Sequence, residues 1–132
     1  MQKFYGLFTL LVLAFFACNE EALPGTFEWS KEQGFSFEEN YYSPDSLMYF
    51  KITDIQDSRC PQGATCIWAG MVRVKLSVHT SVVDTLWLDT YNNQSDTIHD
   101  FAFQLMNVSP YPELEKEIEK KDYRVSLRIF RI

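Results

Sequence analysis

Between Met71 and His79 every second residue is apolar. Val72, Val74, Leu76 and Val78 alternate with Arg73, Lys75, Ser77 and His79. A helix would scatter those four apolar residues around its circumference, whereas a strand gathers them on one face. The pattern therefore demands a strand with one face in a core and the other in water. Such a strand leaves two edges unpaired, so the rest of the chain has to supply its neighbours.

The chain supplies them on both sides. Thr26–Ser30 and Gly34–Glu38 alternate in the same way. Tyr41–Ser46 reads as a turn set by Pro44-Asp45. Leu47–Ile55 is expected to be a strand with Met48, Phe50 and Ile52 inward, Lys51 and Thr53 outward. Val82–Asp89 reads as the hairpin partner of Met71–His79 through Thr80-Ser81, and 91–96 is a polar loop. In Ile98–Val108, Phe101, Phe103 and Leu105 share a face until Pro110 and Pro112, which cannot donate to a ladder, end it. Tyr123–Ile132 closes the chain with Tyr123, Val125, Leu127 and Ile129 in phase. One helix is predicted, over 113–121, where Leu114 and Ile118 lie four apart and Glu117 can pair with Lys121. About seven short strands without a βαβ rhythm predict an all-β fold, an antiparallel β-sandwich or small barrel; an immunoglobulin-like topology is one form of it. Aromatic residues make up 16% of the chain, with eleven Phe and seven Tyr, and large rings suit a pleated surface. The 132 residues suffice for one domain, expected over 26–132.

Two segments fall outside that pattern. The first is the N-terminus. Lys3 precedes an apolar run, Phe4–Ala17, too short to span a bilayer and ending at Cys18. It reads as a signal peptide over 1–17, followed by a polar tether over 18–25. Phe15-Phe16-Ala17-Cys18 resembles the lipobox of bacterial lipoproteins, a small residue directly before a cysteine. The resemblance implies that Cys18 becomes the first mature residue and carries lipid, which would anchor the chain to a membrane. The alternative is an ordinary secretory signal with an incidental cysteine. Asn19-Glu20-Glu21 resembles the acidic stretch that marks some Bacteroidota lipoproteins for surface export, and reads equally as a solvated linker.

The second segment is Asp57–Gly70, with Cys60 and Cys66 inside it. Of three cysteines, lipidation of Cys18 leaves two, and an even remainder outside the cytoplasm predicts one disulfide, Cys60–Cys66. It would pin a loop in which Pro61 restrains the chain and Gly63 permits a left-handed turn. Trp68 is expected against the disulfide or the sheet, Gly70 at a close backbone approach, and Asp57 and Arg59 paired or capping loop amides. The segments Asp57-Ser58-Arg59-Cys60-Pro61 and Cys66-Ile67-Trp68-Ala69-Gly70, downstream of a lipobox, resemble those of small, uncharacterised envelope lipoproteins of the Bacteroidota. That family has no established activity. The resemblance implies an outer-membrane lipoprotein, periplasmic or surface-exposed, and transfers no catalytic residue.

The remaining chemistry is sparse. A formal charge of −6, becoming −7 once residues 1–17 and their one lysine are gone, argues against nucleic acid as a partner. Redox work usually needs Cys-x-x-Cys near a helix N-terminus, not this wider spacing in a strand-rich context. His79 and His99 are far apart in sequence, and Asp54 and Asp57 fit no calcium loop, so no metal or other cofactor is expected. No nucleophile motif is present. The reading is non-enzymatic: a binding or structural module with an unknown protein or glycan partner. The candidate binding residues are Asp57, Arg59, Pro61, Gln62, Gly63 and Trp68. The alternative is an inhibitor of an extracytoplasmic protease that presents loop 59–65, with Arg59 as anchor.

Overall fold

The computed structural model describes residues 25–132. The alternating segments become strands: β1 Glu32–Ser36, β2 Tyr41–Tyr42, β3 Tyr49–Asp57, β4 Val72–His79, β5 Val83–Asp89, β6 Ser95–Ile98, β7 Phe101–Ser109 and β8 Arg124–Arg131. They form two antiparallel four-stranded sheets, ordered β2-β3-β4-β5 and β1-β8-β7-β6, packed face to face. The fold is a β-sandwich. Within each sheet consecutive strands are neighbours, and β1 joins the second sheet by pairing with β8. That is a meander rather than the Greek-key order of an immunoglobulin domain.

The inward phases are those of the sequence. Val72, Val74, Leu76 and Val78 of β4 are buried, as are Val125, Leu127 and Ile129 of β8. Between the sheets Phe27, Phe35, Tyr41, Phe50 and Phe103 meet mostly edge to face, the favoured geometry for ring quadrupoles. Trp29 stacks flat on Phe101, 5.7 Å between centroids.

Two β-bulges break the period. On β3, Ile52 faces Leu76 but Asp54 faces Lys75, so Thr53 is the extra residue. On β7, Leu105 faces Leu127 but Asn107 faces Ser126, which makes Met106 extra. Each bulge reverses the phase of the residues after it. Ile55 and Val108 turn inward and are buried. Asp57, which an unbroken strand would point at solvent, turns inward as well, in register with Val72.

Several expectations are corrected. Thr26–Ser30 is no strand; it makes one parallel bridge, Thr26 with Tyr42, and buries Phe27. Tyr41–Tyr42 is strand rather than turn, and the turn comes after it at Ser43–Met48, where the Asp45 carboxylate accepts from the Ser43 hydroxyl and the Leu47 N–H. Ser95–Ile98 is a strand, separated from β7 by His99-Asp100. The helix over 113–121 does not form. Only Lys120–Asp122 makes a 3-10 turn, and Glu115 takes a left-handed φ of 63°. A helix of two or three turns is marginal without tertiary support. Here the tertiary contacts favour an extended path: Ile118 packs on the core and Lys120 reaches Asp54 at 2.5 Å.

Candidate functional site

Strand directions gather the two long connections, 58–71 and 110–123, at one end of the sandwich. The first continues the β3–β4 hairpin. Ser58 N–H donates to Met71 O at 2.8 Å, and Cys60 N–H to Ala69 O at 2.7 Å. Beyond these rungs Cys60 and Cys66 are joined by a disulfide, with 5.9 Å between their Cα atoms. Gly63 has φ +90°, as the turn requires. Gly70 has φ +73°, and a Cβ placed there would sit 1.9 Å from Ser58 O. Only glycine admits that approach.

The second connection braces the first. Gln62 N–H donates to Pro112 O at 2.9 Å, and Leu114 N–H donates to Gln62 O at 3.0 Å. Tyr111 donates its hydroxyl to Cys60 O at 2.8 Å. The stretch read as a helix thus begins as a strap across the disulfide loop, its Leu114 N–H bonded to Gln62 O.

Under the loop lies a polar cluster built around Arg59. Its guanidinium grips Asp57 bidentately, Nε to Oδ1 at 2.9 Å and Nη2 to Oδ2 at 2.7 Å. It also donates to Val108 O at 2.7 Å and Pro110 O at 3.0 Å, and it lies 4.9 Å from the Tyr111 ring centroid. Asp57 in addition accepts from Arg59 N–H and from the Tyr123 hydroxyl. The Arg59 and Asp57 side chains are only 10% and 7% exposed. Burial pushes the Asp57 carboxyl up, but the hydrogen bonds from Arg59 and Tyr123 outweigh it and hold the group below the usual carboxylate range. Burial, then the Asp57 carboxylate, push the Tyr123 hydroxyl up to about 12.

The sequence candidates therefore divide. Asp57 and Arg59 are paired, as expected, yet they face inward: they are an internal clamp joining β3, β7 and the start of β8. Pro61 is half-buried, while Gln62 and Gly63 are exposed at the tip. Trp68 is not enclosed. It is 54% exposed and stands edge-on to Tyr91 of the β5–β6 connection, 6.1 Å between centroids. Ile67 beside it is fully exposed. Sequence reasoning missed Tyr111, Tyr123 and Tyr91. For Tyr111 the signal was present, a ring held between two prolines; Tyr123 read as an ordinary inward residue of the last strand. Cys18 and the signal segment lie outside the described residues.

The opposite end carries a cavity of about 280 Å³ lined by Leu47, Thr80, Ser81, His99, Phe101 and Arg131, among others. His99 there is engaged with Asp84 at 2.6 Å and Arg131 with Asp45 at 2.7 Å, and Asp100 also lines the cavity. Among the described residues no three His, Cys, Asp or Glu side chains gather as a metal ion would require. The disulfide-braced end offers an exposed Ile67-Trp68 pair on a loop held by the disulfide, its hairpin stem and the strap. A scan against protein-family models and searches of curated proteins and of solved structures found no match.

Proposed function

We propose that the chain is a lipid-anchored protein of the cell envelope, held to the outer membrane through Cys18 and acting as a non-enzymatic binding module for a protein or glycan. Phe15-Phe16-Ala17-Cys18 supports the anchor, and the segment Asp57–Gly70 supports the likeness to Bacteroidota envelope lipoproteins. The observation that carries the binding role is the contrast within one loop. Its frame is fastened by a disulfide, a hairpin stem, a two-bond strap and the Arg59 clamp. Its apolar residues Ile67 and Trp68 nevertheless face solvent, beside Tyr91. A loop that served stability alone would turn such side chains inward. Rigid presentation of exposed apolar and aromatic groups lowers the ordering cost of association and supplies the residue types that anchor interfaces.

The inhibitor alternative loses its natural anchor, because the Arg59 guanidinium is enclosed; it would have to act through Gln62–Ile67. Site-specific photo-crosslinking from position 67 in intact cells tests the binding role. A discrete adduct, abolished by Trp68→Ala, is the expected result. A ladder of random products that Trp68→Ala leaves unchanged would refute it.

A further inference from the structure

The outer face of the β2-β3-β4-β5 sheet carries a second, separate surface. Its rows are set by the register. Tyr42, Tyr49 and His79 form one row across three strands. Tyr42 and Tyr49 lie 5.3 Å apart, and Tyr49 stacks on His79 at 4.3 Å and 12°. Lys51, Ser77 and Thr85 make the next row; Asp54, Lys75 and Trp87 the next, with Asp54 engaged by Lys120; Gln56, Arg73 and Asp89 the last. Arg73 and Lys75 both lie over the Trp87 indole, at 4.7 and 5.6 Å from its centroid. The indole holds both cations in place by cation–π attraction.

Most cations elsewhere on the molecule are paired. Lys31, Arg59, Lys116, Lys120, Lys121 and Arg131 each have a carboxylate partner. Lys51, Arg73 and Lys75 have none within 4 Å among the described residues, and their side chains donate to no protein group there. Asp89 sits beside Arg73, but one of its oxygens is taken up by the N–H groups of Tyr91, Asn92 and Asn93. On the other sheet, Arg124 donates to the Gly34 carbonyl, and Arg128 also has no carboxylate within 4 Å among the described residues. Three of the five cations without a carboxylate partner among the described residues thus lie on this one sheet face, next to a row of rings and with Asp54 and Asp89 among them.

We propose that this face binds an acidic polysaccharide, one bearing carboxylates or sulfates on its sugar rings. Tyr42, exposed at the end of the aromatic row and backed by Tyr49, offers a ring for the apolar C–H face of a pyranose. Lys51, Lys75 and Arg73 offer donors for its acidic groups, and the exposed Thr85 hydroxyl suits its alcohols. From His79 to Arg73 is six residues of strand, about 20 Å, enough to track several sugars. Nucleic acid fits less well, since three cations on a chain of net negative charge are few against the six to ten phosphate contacts a typical binder makes. The assignment is independent of both the anchor and the loop end.

The test is binding of detergent-solubilised full-length protein to polygalacturonate and dextran sulfate, with neutral dextran and poly-L-glutamate as comparators. Binding to at least one charged polysaccharide, weakening as salt screens the cations, is expected, with little to dextran or poly-L-glutamate. Arg73→Glu with Lys75→Glu, and separately Lys51→Glu, should each weaken it tenfold or more, as should Tyr49→Ala. Trp68→Ala on the loop should leave it unchanged. Absence of binding to both charged polysaccharides overturns the proposal. So does equal binding to poly-L-glutamate, which would mark an acidic-peptide or simple ion-exchange surface, or binding that survives charge reversal.

Discussion

Arg59 makes bonds that no other side chain can make together: two to one carboxylate and two to carbonyls on another segment. Lysine has a single head and cannot reproduce that fork. Arg59→Leu leaves Asp57 enclosed without its partner, and breaking a buried pair from one side costs about 3 kcal/mol. Denaturant unfolding of the variant should show that loss, and Arg59→Lys should recover only part of it. The same cluster sets two pH limits. The Asp57 carboxyl is depressed in the fold, so its contribution is present above the unfolded value near 4 and is lost as pH falls below it. The Tyr123 hydroxyl is raised from 10 to about 12, so the unfolded state ionises first and stability falls as pH rises through that window. Tyr123→Phe should flatten the alkaline limb in a pH series of melting temperatures; an unchanged slope would exclude Tyr123 as its source. At Gly70, both the positive φ and the 1.9 Å approach to Ser58 O exclude a Cβ. Gly70→Ala should therefore loosen the loop stem, seen as faster amide exchange at Cys60 and Ser58, while Gly63→Ala, whose nearest neighbour is a Leu114 side-chain carbon at 3.6 Å, strains only its own backbone.

At the scale of elements, the loop and its strap stabilise each other. The disulfide closes a short ring, which by chain entropy constrains the unfolded state by about 2 kcal/mol. Cys60→Ser with Cys66→Ser should lower the melting temperature by on the order of 10 °C and leave the β-rich circular dichroism intact. The strap adds two backbone hydrogen bonds from outside the ring. The bulges at Thr53 and Met106 belong to this scale too. Their trace is visible in the sequence, where the apolar spacing widens from two to three between Ile52 and Ile55 and between Leu105 and Val108. Reading each strand as one unbroken alternation hid that trace. The helix expected over 113–121 failed for another reason: its Leu114–Ile118 and Glu117–Lys121 spacings are local, and contacts with residues some fifty or more positions earlier won. Leu114 N–H goes to Gln62 O and Lys120 to Asp54.

The whole molecule has a polarity that its strand order creates. Short turns close one end, and the two long connections meet at the other, where Ile67, Trp68, Tyr91 and Tyr111 are exposed. If the chain is anchored as proposed, Cys18→Ala should release it from the membrane fraction or leave it misprocessed. Unchanged membrane association would refute lipidation. Protease shaving of intact cells then reports the side: digestion is the result expected of a surface-exposed module, and protection until the outer membrane is opened would place it in the periplasm.

The sequence by itself determined the long strands and, up to each bulge, which of their residues face inward, because a period of two is a local property that burial reads directly. It also singled out the paired cysteines and the glycines of the loop, since left-handed turns and close approaches are written in residue type. Only the tertiary structure decided that Arg59 is a clamp and not a bait, that Trp68 faces outward, and that Tyr111 and Tyr123 belong with them. Those outcomes depend on which strand ends arrive at the same end of the sandwich, and on two extra residues that turn Asp57 inward. Neither is a property of any short stretch of chain.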